Sequence, residues 1–265
     1  LTHGIRKDYI LKKILAAISA AAMLALTGCS FYPSSYNVMH EYDFAEMDLV
    51  QLQPPKDGDT IAVFDTTMGE IRVVLYPDIA PNTVKSFIKK AESGYYNNME
   101  IFGIMDDMYF LSGYTVDEEG NYRGRKSDDE LIVNECSVDL WPFKGALVSF
   151  SEQPGYSDAR WFICNTDEET LTEAAIAELK ESAAEYEDPV ERENLLYLFD
   201  KFYEIGGVFG AAGTYTVFGQ TYQGLDVIEE ICAVPTNEEN RPVNEIIINS
   251  VTIGKYTAEE ANNEN

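Results

Sequence analysis

Side chains able to run acid–base or nucleophilic chemistry are scarce in this chain. Histidine occurs twice, as His3 and His40, and both precede the stretch whose patterning builds a domain. A domain without histidine cannot run a Ser-His-Asp or Cys-His relay, nor assemble a histidine-rich zinc site. Most hydrolase classes are thereby excluded. Cys136, Cys164 and Cys232 lack neighbours that stabilise a thiolate. Their odd number leaves at least one thiol unpaired, and Cys164, within Trp161-Phe162-Ile163-Cys164, reads as core. The acidic runs Asp106-Asp107, Asp117-Glu118-Glu119 and Asp128-Asp129-Glu130 lack the alternating loop of a calcium-binding hand. They read as solvated loops, and no metal or cofactor is expected. What remains is aromatic side chains in short strands (Tyr109, Phe110, Phe162, Tyr215) and an arginine, Arg160, near Asp158 and Glu152. The aromatics suit barrel packing or an apolar hollow. The arginine suits an ion pair.

With 19 basic against 46 acidic residues the net charge is −27. Such a surface repels phosphate backbones, so no nucleic-acid partner is expected.

The elements that must position these residues begin after a leader. Arg6, Lys7, Lys12 and Lys13 precede an apolar run from Ile14 to Leu26. That run is shorter than the roughly 20 apolar residues needed to span a bilayer. It ends in Leu26-Thr27-Gly28-Cys29, which resembles the lipobox of bacterial lipoproteins. Residues 1–28 are therefore expected to be a removed signal peptide, with Cys29 lipidated and the protein anchored outside the cytoplasm. Residues 29–57, with Pro33, Pro54 and Pro55 and no sustained periodicity, read as a tether. Its aromatics, Tyr42 and Phe44 among them, could dock on the domain.

From Thr60 the pattern is β-rich. Thr60–Thr66 and Glu70–Tyr76 around Met68-Gly69 predict a hairpin. Val84, Phe87, Ile88 and Ala91 share one helical face behind Pro81, with Gly94 placed to end the helix. Further strands are expected at Tyr109–Leu111, Gly145–Phe150, Arg160–Cys164, Tyr215–Gly219 and Glu245–Ile253, with a second short helix at Leu225–Ile231. Between Asp167 and Gly207 the composition turns strongly helix-forming. Leu171–Tyr186 and Val190–Tyr203, separated by Asp188-Pro189, predict a helical hairpin inserted at about 168–207.

Within this order, Met68-Gly69-Glu70-Ile71, Leu75-Tyr76-Pro77-Asp78-Ile79-Ala80-Pro81-Asn82-Thr83-Val84 and Phe87 closely resemble the opening of cyclophilin-type peptidyl-prolyl isomerases. Thr216-Val217-Phe218-Gly219, followed by Gly224-Leu225-Asp226-Val227-Ile228, resembles their last strand-to-helix passage. Gly145-Ala146-Leu147, Pro154 and Phe162-Ile163-Cys164 fit the middle. The resemblance implies a mainly β fold, a closed eight-stranded barrel with two capping helices. It would span residues 58–254, followed by a polar tail at 255–265. It also implies a proline pocket on the barrel's outer face and cis/trans isomerisation of X-Pro bonds.

Carried over residue by residue, the family's catalytic arginine falls on Ile104, which cannot donate a hydrogen bond. The resemblance places Tyr109, Phe110, Phe162 and Tyr215 around the pocket, with Ser112 and Arg160 where substrate-facing glutamines stand. Arg160 is the candidate substitute donor. The expected partners are proline-containing peptides or unfolded secreted proteins, and the membrane through Cys29. The expected function is an extracytoplasmic folding isomerase with reduced or relocated catalysis. The other reading is a catalytically inactive cyclophilin-like peptide- or protein-binding module on the cell surface.

Overall fold

A computed structural model of the protein describes residues 42–105, 108–116, 122–123, 131–166 and 173–258. The leader, Cys29 and the tether up to residue 41 lie outside the described residues. So do the acidic runs at 106–107, 117–119 and 128–130 and the tail beyond 258.

Strand β1 (Thr60–Thr66) folds back onto β2 (Gly69–Leu75) in the expected hairpin, in register from Thr66↔Gly69 to Ile61↔Val74. The Thr66 hydroxyl stitches the turn, accepting from the Met68 and Gly69 amides at 3.1 Å each. Helix α1 (Pro81–Glu92) follows, burying Val84, Phe87 and Ala91. Next come the short strands β3 (Met99–Glu100), β4 (Gly103–Met105), β5 (Tyr109–Ser112), β6 (Thr115–Val116), β7 (Tyr122–Arg123) and β8 (Ile132–Val133). The second half holds β9 (Ala146–Phe150), β10 (Tyr156–Ser157), β11 (Arg160–Cys164), β12 (Val217–Gln223) and β13 (Ile247–Lys255). Helix α4 (Leu225–Cys232) precedes β13. Between β11 and β12 lie α2 (Glu173–Ser182) and α3 (Pro189–Ile205).

Nine strands form one sheet in the order β3-β13-β1-β2-β12-β9-β11-β5-β4. Its two outermost strands, β3 and β4, are separated by only Ile101 and Phe102. The Ile101 amide donates to Ile246 O at 2.9 Å and the Phe102 amide to Leu111 O at 3.1 Å. The run 99–105 thus leaves β13 and joins β5 without a break. Counted as one bent strand, it brings the sheet round on itself with eight strands. Inside lie Phe64, Ile71, Val73, Leu147, Trp161, Ile163 and Phe218, joined by Val84 and Phe87 of α1 and Ile228 and Ile231 of α4. The two helices cap this core, as the pattern predicts.

The inserted hairpin builds a second core. Asp188 caps α3, accepting from Val190 N at 2.7 Å and Glu191 N at 3.1 Å, with Pro189 at the first helical position. Leu195, Leu198, Phe199 and Phe202 face Trp141, Phe143 and Ile176. The tether's end completes this cluster: Phe44 and Leu49 are buried in it, and Phe44 stacks on Trp141 at 6.2 Å between ring centroids. Gln51 locks the strap down, its Nε2 donating to Trp141 O at 2.8 Å and to Gln220 Oε1 at 2.9 Å. Residues 42–52 are therefore part of the folded body rather than a free tether. No disulfide joins Cys136, Cys164 and Cys232 to one another. Burial pushes the Cys136 thiol up to about 11, only partly offset by the neighbouring Tyr42 hydroxyl, and pushes the Cys164 thiol up as well.

Candidate functional site: an aromatic hollow on the barrel wall

Alternation along three neighbouring strands decides which side chains face outward. In β11, Phe162 stands opposite Leu111 of β5 and Val148 of β9, while Ile163 stands opposite Phe110 and Leu147. The first set belongs to an outer apolar cluster with Cys164, Tyr109, Phe150 and Tyr215. The second set lines the barrel interior with Trp161. In β4, Ile104 pairs with Phe110 and is buried with it in the interior, whereas Gly103 pairs with Leu111 and Met105 with Tyr109.

This alternation corrects the expectation for three residues. Ile104, Phe110 and Ser112 do not border the hollow. The pleat turns Ile104 and Phe110 into the core, and Ser112 is fully buried with its hydroxyl donating to Glu100 O at 2.8 Å. A shift of one residue along 102–113 moves every side chain to the opposite face. The outward position on β4 is Gly103, where an added Cβ would meet Leu111 Cδ1 at 3.4 Å. The place thus still lacks a donor side chain, but a glycine holds it rather than an isoleucine.

Tyr109, Phe162 and Tyr215 do come together. Phe162, only 2% exposed, forms a floor. The Tyr109 ring lies 4.8 Å from it, tilted by 42°, and the Tyr215 ring 5.9 Å from it, edge-on at 88°. Phe150 packs against Tyr215 at 5.5 Å. Neither phenol has a hydrogen-bond partner among the described residues. Both hydroxyls titrate above their ordinary range: burial raises Tyr109, helped by Tyr215 and Cys164, and burial raises Tyr215 against a smaller lowering by Arg160.

Arg160 stands beside this group with its nitrogens engaged. Nε donates to Asp158 Oδ1 at 3.1 Å, Nη2 to Asp158 Oδ2 at 2.7 Å and Nη1 to Glu152 Oε1 at 3.0 Å. The ion pair weighed from the sequence is present, but it is buried rather than a screened surface contact: the Arg160 and Asp158 side chains are 3% and 2% exposed. Rings flank the guanidinium, with Tyr114 at 4.8 Å and Phe150 at 4.9 Å. Burial works against the charge, but the hydrogen bonds that Arg160 donates to Asp158, then the attraction of Asp158 and the bond to Glu152, more than offset it and raise the pKa. Gly113 makes this packing possible. At φ +105° its Cα passes so close to β11 that a Cβ would sit 2.4 Å from Ala159 O.

Glu135 is a residue the sequence reading missed. Its carboxylate caps α1, accepting from Thr83 N and Thr83 Oγ1 at 2.8 Å each and from Asn82 N at 3.1 Å and Nδ2 at 2.7 Å. Its own amide donates to Thr216 Oγ1 at 2.8 Å. On either side, Asn134 Nδ2 donates to Thr214 O at 2.6 Å, and Cys136 Sγ donates to Tyr215 O at 3.5 Å. Three successive residues thus hold the backbone that presents Tyr215. A lone acid ahead of a cysteine carries no signal of this in sequence, because its partners are some 50 and 80 positions away.

Residues 61–253 match the family model described as cyclophilin type peptidyl-prolyl cis-trans isomerase/CLD. A protein of Staphylococcus saprophyticus named "Putative peptidyl-prolyl cis-trans isomerase" is 26% identical over 205 residues, covering 77% of this chain and 96% of its own length. A Staphylococcus aureus protein of the same name is 24% identical over 199 residues, covering 75% and 93%. Among solved structures, a Cryptosporidium parvum cyclophilin type isomerase matches with a TM-score of 0.53 at 17% identity, over 75% of this chain and 99% of that one. The same protein crystallised with the dipeptide Ala-Pro gives 0.51 at 18% identity, over 74% and 99%. The matched span, the sheet that curls round on itself and the two capping helices agree, and the chain belongs to the cyclophilin-type peptidyl-prolyl cis-trans isomerase family.

Proposed function

We propose that this protein is an extracytoplasmic folding factor, tethered to the membrane through Cys29, that isomerises X-Pro bonds at the hollow over Phe162 with reduced catalytic power. The observation that carries this reading is the Tyr109–Phe162–Tyr215 group, an aromatic cluster on the outer side of the sheet in a barrel of this family. The amide barrier of ~18–20 kcal/mol comes from resonance. Lowering it needs only an apolar seat for the pyrrolidine ring and a donor for the nitrogen lone pair that appears when the bond twists. Phe162 supplies the seat. Among the described residues no cation is aimed at this group, since Gly103 faces outward on β4 and Arg160 is held by Asp158 and Glu152. That is why catalysis is proposed to be weak.

The membrane tether rests on the leader and on Leu26-Thr27-Gly28-Cys29. Clients are unfolded secreted proteins bearing exposed proline. Cyclosporin-type ligands bind weakly or not at all, because the rim is tyrosine-rich. Measuring cis/trans exchange of an Ala-Pro peptide by NMR, with and without the protein, tests the isomerase reading. Faster exchange supports it, and unchanged exchange at saturating protein ends it. A second reading, an inactive peptide-binding module, is favoured by the engaged Arg160 guanidinium. Peptide binding without faster exchange would establish that one instead.

A further inference from the structure

The geometry points to the phenolic hydroxyls of Tyr109 and Tyr215 as the hydrogen-bond donors to the X-Pro amide bound over Phe162, in place of a guanidinium. This rests on the isomerase reading and names the groups that do its chemistry.

The other groups on this wall are poorly placed to donate. Arg160 gives Nε, Nη1 and Nη2 to Asp158 and Glu152 at 2.7–3.1 Å and is flanked by the Tyr114 and Phe150 rings. Redirecting it toward a substrate would strand a buried carboxylate. Gly103 and Leu111 face outward with nothing to donate. The Cys164 thiol is fully buried. By contrast, Tyr109 and Tyr215 are both half-buried and flank the Phe162 floor at 4.8 and 5.9 Å. Their hydroxyls have no partner among the described residues. They are near enough to each other that Tyr215 contributes to raising the Tyr109 pKa. Phe162 itself is 2% exposed, so a proline ring reaches it where the two tyrosine rings part, and then has a phenol to either side.

In the ground state the proline nitrogen is planar and conjugated and accepts poorly. As the bond twists, the nitrogen pyramidalises and its lone pair becomes an acceptor. A phenolic O–H then donates to it, or to the carbonyl oxygen of the preceding residue. The proton stays on the phenol throughout, and no covalent bond forms or breaks. A neutral donor is about half as strong as a charge-assisted one. The arrangement therefore gives catalysis, but less than a free guanidinium would.

The experiment compares wild type, Tyr109→Phe, Tyr215→Phe and the double variant, with Tyr197→Phe on α3 as an unrelated control. Phenylalanine keeps the rings that pack on Phe162, and circular dichroism verifies the fold. NMR exchange on an Ala-Pro peptide gives the rate, and its titration gives affinity. The expected result is a fall in exchange rate of about 10²-fold in the double variant, with affinity changed by less than about threefold and the control unchanged. An active wild type with an equally active double variant removes the donor role alone. Equal loss of rate and affinity assigns the hydroxyls to ground-state binding and overturns the proposal. An inactive wild type removes the isomerase reading and the donor role with it.

Discussion

Arg160 and Asp158 form a two-pronged ion pair in the barrel wall, Nε to Oδ1 at 3.1 Å and Nη2 to Oδ2 at 2.7 Å, with both side chains almost wholly buried. Such a pair is a structural commitment. Removing one partner leaves the other as an uncompensated charge.

Arg160→Ala is therefore expected to destabilise the fold by about 3–5 kcal/mol, read as a lower midpoint in urea unfolding. Its exchange rate, scaled to the folded fraction, should stay near that of the wild type. A fully folded Arg160→Ala protein with a hundredfold slower rate would instead make Arg160 the donor.

Glu135 links stability to pH. Desolvation pushes its pKa up, but the backbone and side-chain hydrogen bonds from Thr83 and Asn82 outweigh this, and the folded-state pKa is lowered. A lowered folded-state value means the carboxylate stabilises the fold above the ordinary glutamate pKa of about 4.3. That contribution is lost as pH falls through the folded-state value. Urea midpoints for wild type and Glu135→Gln should differ most at neutral pH and converge as the pH falls below the folded-state value. Parallel curves would remove the assignment.

Gly103→Arg would place a guanidinium on the outward face of β4, beside Leu111. The Cβ has room at 3.4 Å and the backbone is not in the left-handed region. A gain of about tenfold or more in kcat/KM for X-Pro exchange is expected, since single positioned donors are worth about 10²–10³ elsewhere. No gain in a folded variant would mean that the hollow does not seat proline beneath that position.

Phe44→Ala should cost about 3–5 kcal/mol, as large truncations in a packed core do. Phe44 is completely buried and contacts Tyr42, Trp141 and Tyr186. Red-shifted tryptophan fluorescence from Trp141 should accompany the loss. If Phe44→Ala unfolds like wild type, the strap is not part of the body.

The barrel was legible because its signals are local. The Met68-Gly69 turn, the α1 face and the Asp188-Pro189 break each lie within a few residues of what they organise. The hollow was legible only in part. Tyr109, Phe162 and Tyr215 met as expected, but Ile104, Phe110 and Ser112 did not. A one-residue offset is invisible to motif matching, yet it reverses every side chain on a strand. The alternation of Arg160–Cys164 against Tyr109–Ser112 carried the information, and pairing Phe162 with Leu111 resolves it. Glu135 and Gln51 escaped for a different reason. Their roles are hydrogen bonds to residues far along the chain, which periodicity does not encode. The docking of Tyr42 and Phe44 was foreseeable from their aromatic character, but their partners were not.

The run from Met99 to Glu100 into Gly103–Met105 leaves little unpaired backbone at the seam. On the side where β3 has no strand, Glu100 O accepts the Ser112 hydroxyl at 2.8 Å. On the side where β4 has none, the Ile104 amide donates to Asn240 O at 2.8 Å. Open strand edges are templates on which foreign chains add themselves. A seam sealed in this way offers an extended polypeptide no template on which to add a strand, and leaves contact there to side chains.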